Sequence, residues 1–372
     1  MVKTQFKIKT HEIKIISKTT SYHGWPTLGR RPDGGLFLVY SGGREAHVCP
    51  YGRVEMMRSG DGGVSWSTPE ILANGPLDDR DGGILVTHNG SILVNWFTSL
   101  YWQKVLGEGG GGGFAPSPGR AAEWEEIRRR ITPDVVRREM GLWMIRSIDG
   151  GATWSGKYPS VVNSPHGPVQ LSDGRLIHAG KACVDELPDP CENAHAEAIG
   201  VAESRDDGVT WQWLASIPTS PGHEARLYCE LHTVEADDGR LIAQIRNHNK
   251  RAEGETLQTE SGDGGRTWSV PHSIGVWGHP SFLTRLRNGN LMMSYSHRRK
   301  SLGNQVRISA DRGETWSEPL ILSDDADLTD FGYPSTVELD DGTFLTVWYE
   351  RSASNPSAVL RQARWKLGAD GC

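Results

Sequence analysis

The sequence predicts an all-β protein, a six-bladed β-propeller with Asp-box repeats and a short helical insertion in blade two. Three observations carry this. An aspartate-centred turn motif recurs five times, an Asp-Gly or Asn-Gly pair recurs six times between apolar runs, and the 372 residues include 45 Gly and 14 Trp. High Gly and Trp with modest aliphatic content suits many short strands joined by tight turns, not long helices. Repetition at a regular spacing then narrows the all-β options to a propeller.

The first motif reads RSGDGGVSW ending at Trp66, RSIDGGATW at Trp154, ESRDDGVTW at Trp211, ESGDGGRTW at Trp268 and RISADRGETW at Trp316. In its consensus, S-x-D-x-G-x-[ST]-W, the Asp side chain accepts backbone N–H bonds, Gly supplies φ > 0 and Trp packs under the turn. These residues read as structural. The second signal, Asp33-Gly34, Asn89-Gly90, Asp173-Gly174, Asp238-Gly239, Asn288-Gly289 and Asp341-Gly342, precedes β-rich runs such as LFLVYS and TFLTVWYE. Such pairs between apolar runs are strong hairpin signals, and six hairpins imply six blades. Each blade then reads strand A, DG turn, strand B, strand C, Asp-box turn, strand D. Blade six lacks its own Asp box; RQARWKL supplies an outer strand there, and the N-terminal QFKIKTHEIKII completes the sheet and closes the ring, which protects exposed edges.

One stretch breaks the rhythm. Residues 101–141 hold a glycine run, Gly109–Gly113, followed by AAEWEEIRRRITPDVVRREM, which reads as one or two helices. Arg128–Arg130 and Arg137–Arg138 alternate with Glu125, Glu126 and Glu139, the pattern of a solvated helix face. The insertion falls between strands B and C of blade two, on the face opposite the DG turns. There it is either a surface or homo-oligomer-contact excursion or a lid over the central mouth. Residues 1–372 otherwise read as a single domain.

A net charge of −6 gives no electrostatic footprint for nucleic acid or an anionic membrane. The start, MVKTQFKIKTHEIKIIS, lacks the apolar core of a secretory signal, and no stretch is long enough to span a bilayer. Five scattered cysteines (Cys49, Cys183, Cys191, Cys229 and Cys372) suit a reduced, cytoplasmic protein, with a Cys183–Cys191 bridge as the alternative. No motif asks for a cofactor. His23, His47, His166 and His279 are a conceivable cation set, but no HExxH or paired CxxC accompanies them, so no metal is expected.

Alternating strand direction puts the start of every strand A and the end of every strand B on the face opposite the DG turns. That face therefore receives His23, Asp79-Arg80-Asp81, His166, Glu230 with His232, His279 and Tyr333 from the A strands. The B strands add Arg44 and His47, Lys181, Arg246, His297-Arg298-Arg299 and Glu350. Such a polar, largely cationic mouth suits an acidic carbohydrate or another acidic small molecule. Asp81, His166 and His279 are read as substrate-facing on this ground alone.

The Asp boxes and blade order resemble those of sialidases (neuraminidases) along essentially the whole chain. The resemblance implies a Tyr nucleophile partnered by a Glu, an Asp acid/base and three arginines that grip a carboxylate. YCELHTVEADDGRLIAQIRN is similar to the family's blade-four pattern, which implies that Glu230 is the Tyr-activating carboxylate and Arg246 a triad arginine. FGYPSTVELDDGTFLTVWYE is similar to the blade-six pattern, implying that Tyr333 is the nucleophile and that Glu350 orients the first arginine. Arg298 or Arg299 resembles the third arginine, and Arg44, in SGGRE, an additional arginine near the sugar ring. Two positions depart from the family. The first triad arginine should lie in a Phe/Tyr-Arg-Ile-Pro motif, where this chain has YHGWP with His23, and His47 is the titratable residue nearest the acid/base position.

The expectation is a sialidase-like exo-glycoside hydrolase for a sialic-acid-like or uronic sugar. Tyr333, deprotonated by Glu230, attacks the anomeric carbon. His47 or His23 protonates the leaving oxygen, with Glu350 beside His23 as an oriented pair. Arg44, Arg246 and Arg298 or Arg299 hold the carboxylate or hydroxyls. The alternatives are a uronate glycoside lyase using His and Tyr, and a non-catalytic carbohydrate-binding propeller.

Overall fold

The computed structural model describes residues 6–18, 20–108, 115–182 and 198–369. Gly109–Gly113 and the Cys183–Cys191 and Cys372 positions lie outside the described residues. Six four-stranded antiparallel sheets follow one another along the chain. Their innermost strands are Tyr22–Arg30, Asp78–Val86, Val169–Gln170, Tyr228–Glu235, Ser281–Arg285 and Phe331–Glu338. The sixth sheet takes its outermost strand from the N-terminus, Phe6–Ile15, which pairs with Asn355–Ala369. The ring is thus closed by joining the two ends of the chain in one sheet, as the QFKIKTHEIKII reading requires.

Hydrogen bonds pass from blade to blade around the ring. Asp81 N–H donates to Ser41 Oγ, Asn95 Nδ2 to the Ser164 carbonyl, and Ser164 Oγ to the Leu231 carbonyl. Leu283 N–H donates to His232 Nδ1, Thr284 Oγ1 to the Thr336 carbonyl, and Leu28 N–H to Ser335 Oγ, which returns to blade one. Buried polar groups near a propeller axis need such partners, since sheet ladders do not reach across blades. Apolar clusters fill the spaces between neighbouring sheets, one of them joining Leu36 and Leu38 of blade one to Leu345 and Val347 of blade six.

The two repeats are the two kinds of turn predicted. In the DG hairpins the glycine is left-handed at all six places (Gly34, Gly90, Gly174, Gly239, Gly289, Gly342) while the preceding residue is not, the geometry of a type I turn with a glycine bulge. In the Asp boxes the aspartate accepts from the backbone N–H four residues on, at 3.0 Å from Asp61 to Ser65 and 2.9 Å from Asp263 to Thr267.

The interruption forms three helices, α1 (Tyr101–Gly107), α2 (Pro118–Arg130) and α3 (Pro133–Glu139). Sequence reading placed one or two, both after the glycine run; YWQKVLG was too short to declare its period. Ser117 and Thr132 cap α2 and α3, each followed by proline at the first helical position. Arg128, Arg129 and Arg130 of α2 pair with Glu125 and Glu126 on its exposed face, as expected. Trp102 and Trp124 are fully buried and pack with Val48 and Cys49 of the loop between the second and third strands of blade one. No described helix is long and apolar enough to cross a membrane.

Candidate active site

The inner strands of four blades bend at one equivalent place. Trp25, Asp81, Glu230 and Tyr333 all have left-handed φ, 54°, 55°, 50° and 56°. Each lies within or beside a register shift in its ladder. A bulge of this kind re-aims a side chain, and a non-glycine residue held at φ > 0 carries a cost that the surrounding structure must offset. Here the bulges bring residues from blades one, two, four and six to a common region.

Tyr333 is the centre of that region. Its hydroxyl donates to Glu230 Oε1 at 2.5 Å and accepts from Arg246 Nη1 at 3.1 Å, while Arg246 Nη1 also spans both Glu230 oxygens at 2.9 and 2.7 Å. The Glu230 carboxyl is held down at about 2: burial opposes its charge, but the charge and hydrogen bonds of Arg246 and the Tyr333 hydroxyl outweigh that. Burial and the neighbouring Glu230 charge push the Tyr333 hydroxyl well above its ordinary value. The resting state is therefore a neutral phenol hydrogen-bonded to a carboxylate, with a guanidinium on both.

A second unit stands beside it. His47 Nδ1 lies 2.9 Å from Asp330 Oδ1, and Asp330 also accepts from the hydroxyls of Tyr22, at 2.9 Å, and Tyr349, at 3.1 Å. The His47 ring meets Trp25 edge-on at 5.0 Å between centroids, and its side chain keeps 32% exposure. Burial lowers the His47 pKa below the ordinary histidine value against the opposing pull of Asp330. The His47 loop is held from two sides: Arg44 donates to the Ala46 and His47 carbonyls, and from the insertion Trp124 Nε1 donates to Glu45 at 2.8 Å. The helices thus brace this loop.

Several expected placements are corrected. His23 packs against Tyr40, 5.5 Å between ring centroids. Glu350 binds Arg361 Nη1 at 2.7 Å and Trp348 Nε1 at 3.0 Å. The expected Glu350–His23 pair does not form, because the B strand turns Glu350 outward to the third strand. Arg44 is no sugar contact: its side chain is 0% exposed and forks onto Asp78 at 2.5 and 3.1 Å. Of the two candidates for the third arginine, Arg299 is exposed and stacks on Trp277 at 3.3 Å. Arg298 instead donates to the Phe331 carbonyl at 2.8 Å, two residues from Tyr333. Arg246 and Arg298 each bury an Nε without a protein partner.

His166 lies beneath Tyr333, 6.2 Å between ring centroids, with Nε2 buried and unpartnered; burial brings its pKa down to about 4. His279 is brought down to about 3, by burial first and then by Arg246 and Arg298. Burial raises Asp81 to about 6 against the attraction of Arg80. A cavity of about 460 Å³ runs along the axis from the DG-turn side and stops under this floor at His166, His232 and Phe282; it does not contain the Tyr333 group. Among the described residues no group of three or more His, Cys, Asp or Glu side chains is arranged to hold a metal ion, and His23, His47, His166 and His279 do not converge.

Sequence reading missed two residues, Asp330 and Trp25; Arg80 was placed on this face but given no role. A signal for Trp25 existed: Gly24-Trp25-Pro26 and Gly332-Tyr333-Pro334 are the same tripeptide pattern at the same bulge. Asp330 had none, since nothing in the chain marks a loop aspartate as the partner of a histidine 283 residues away.

A family model for the BNR repeat-like domain matches residues 122–346, well over half of the chain. A sialidase of Paraclostridium sordellii is 24% identical over 274 residues, which cover 67% of this chain and 57% of that protein. The chain thus spans little more than half the length of that relative. A crystal structure of a protein of unknown function from Dyadobacter fermentans matches with a TM-score of 0.77 at 20% identity, covering 97% of this chain and 99% of that one. The intramolecular trans-sialidase from Ruminococcus gnavus, solved with oseltamivir carboxylate, matches with a TM-score of 0.63 at 14% identity, covering 96% and 97%. At these identities the two structures speak for the propeller alone.

Proposed function

The chain belongs to the BNR repeat-like domain family, and from that premise we propose that it is an exo-acting glycoside hydrolase of the sialidase type whose substrate is an acidic sugar. The observation that carries this reading is the Tyr333–Glu230–Arg246 contact. Tyr333 attacks the anomeric carbon as its proton passes to Glu230, and the bond to the leaving oxygen breaks. A neutral phenol is a better nucleophile here than a carboxylate, because a sugar acid would repel a second negative charge. Arg246 and Arg298, with unpartnered donors beside Tyr333, hold the sugar carboxylate. His47, whose Nδ1 is taken by Asp330, keeps Nε2 to protonate the leaving oxygen and later to activate water.

The test is a screen of aryl glycosides of N-acetylneuraminic acid and of uronic acids, followed by phenol release. The expected result is hydrolysis, with the sugar trapped on the peptide bearing Tyr333 when a fluorinated, slowly released substrate is used. An unsaturated product absorbing in the ultraviolet would instead mark a lyase, and tight binding without turnover a carbohydrate-binding propeller.

A further inference from the structure

Residues 45–52, which carry His47, join the second and third strands of blade one and form neither helix nor strand. The two sides of this loop meet different surroundings. In front, His47 meets Asp330, Tyr22 and Trp25. Behind, Val48 and Cys49 are 2% and 0% exposed, packed with Trp102, Val105 and Trp124 of the insertion that blade two contributes. A loop without regular hydrogen bonding takes its direction from what it is packed against, so the insertion bears on where the imidazole points.

Helix α2 grips the loop at three places. Trp124 Nε1 donates to Glu45 Oε1 at 2.8 Å, two residues before His47. The Trp124 ring, edge-on to Trp102 at 6.0 Å between centroids, packs with Val48 and Cys49 just after it. Arg120 pairs with the other Glu45 oxygen and lies over the Tyr51 ring, 5.5 Å from its centroid. These holds are unequal. The Arg120 side chain is 42% exposed, and an exposed ion pair contributes little. Trp124 is wholly buried, and its indole N–H has given up water for the bond to Glu45. From the other side, Arg44 holds only the Ala46 and His47 carbonyls and leaves the apolar back of the loop to the insertion. We infer that the insertion is a positioning device for proton transfer, with Trp124, acting through Glu45, Val48 and Cys49, the positioning residue for His47. The inference rests on the proposed reading of His47 as the general acid and assigns residues 101–141 a part in that step.

The experiment compares wild type, His47→Ala, Trp124→Ala and Glu45→Ala on the dinitrophenyl and methyl glycosides of N-acetylneuraminic acid and glucuronic acid. The quantity measured is kcat/KM, which covers the steps up to departure of the leaving group. Methoxide must be protonated as it leaves and dinitrophenolate need not be, so a fault in the general acid alone strikes the methyl glycoside. There His47→Ala should lose roughly 10²–10⁴-fold. Trp124→Ala should lose about 10²-fold and Glu45→Ala about tenfold, while all three stay within about threefold of wild type on the dinitrophenyl glycoside. Equal losses on both substrates in the Trp124 and Glu45 variants mark a general loosening and overturn the positioning role. Unchanged rates on the methyl glycoside overturn it as well. Either result leaves the hydrolase reading standing, provided that His47→Ala is selective. A His47→Ala chain without selectivity, or a wild type that releases neither alcohol, overturns both. Should Trp124→Ala fail to fold, as judged by its melting curve, Glu45→Ala decides alone.

Discussion

The outer rim and the mouth of this propeller repeat in opposite ways. Around the rim, five Asp boxes repeat their side chains: a serine hydroxyl meets the aspartate at 2.7–2.9 Å in each (Ser59–Asp61, Ser147–Asp149, Ser204–Asp206, Ser261–Asp263, Ser309–Asp311). Around the mouth, four inner strands repeat only a backbone feature, the left-handed bulge, and place on it four different residues, Trp25, Asp81, Glu230 and Tyr333. A repeated side chain solves the same local problem in each blade, the satisfaction of a tight turn. A repeated backbone kink with changing side chains gathers unlike groups at one point, which is what chemistry needs and folding does not. Left-handed non-glycine residues cost stability wherever they occur, so four at one level of the ring argue for use.

The sharpest way to break this contrast is Tyr333→Phe. The phenyl ring keeps its packing against Trp25 and His166, and only the hydroxyl shared with Glu230 and Arg246 is lost. On an activated aryl glycoside, kcat is expected to fall by roughly 10³–10⁴-fold or more, with circular dichroism unchanged. Near-normal turnover would remove the nucleophile and return the mouth to the same structural standing as the rim.

Asp330→Asn sharpens it further. A general acid must enter the reaction protonated, and His47 has a pKa below the ordinary histidine value, with Asp330 the group pulling it upward. Activity should therefore decline as pH rises through that depressed pKa. Removing the Asp330 charge lowers the pKa further, so this limb moves to more acid pH, with a loss of about 10–100-fold in kcat at neutral pH. A profile that does not move would detach His47 from the chemistry.

The same contrast explains what could be read from the chain. The blades, their number, the velcro closure by Phe6–Ile15 and the place of the insertion were all legible, because turns are written locally in Asp, Gly and Trp. Glu230, Arg246 and Tyr333 were legible through blade position, since strand direction alone puts them on one face. His23 and Glu350 were drawn to the same face by the same rule, yet a bulge on one strand and an outward turn on the other carried them away from each other. Asp330 was illegible for a third reason: its meaning comes from His47, a residue of another blade that only the closed ring brings near.

The smallest effect expected is at the rim. Asp263 accepts from Thr267 Oγ1, the Thr267 N–H and Ser261 Oγ, and these bonds, Thr267 first, hold its carboxyl down at about 2. An unfolded aspartate titrates near 3.9, so the folded state binds its proton less readily than the unfolded one. The stability from this ionised turn is therefore fully present above pH ~4 and is lost as pH falls through about 2. The side chain is almost wholly in solvent, where screening keeps the gain small. Asp263→Asn should cost about 1 kcal/mol in urea unfolding near pH 6 and leave kcat as it is. Its deficit against wild type should then shrink as pH drops from 4 towards 2. A deficit that is constant across this range would mean that the box is held by shape rather than by the charge of its aspartate. A change in kcat would mean that the rim and the mouth are coupled after all.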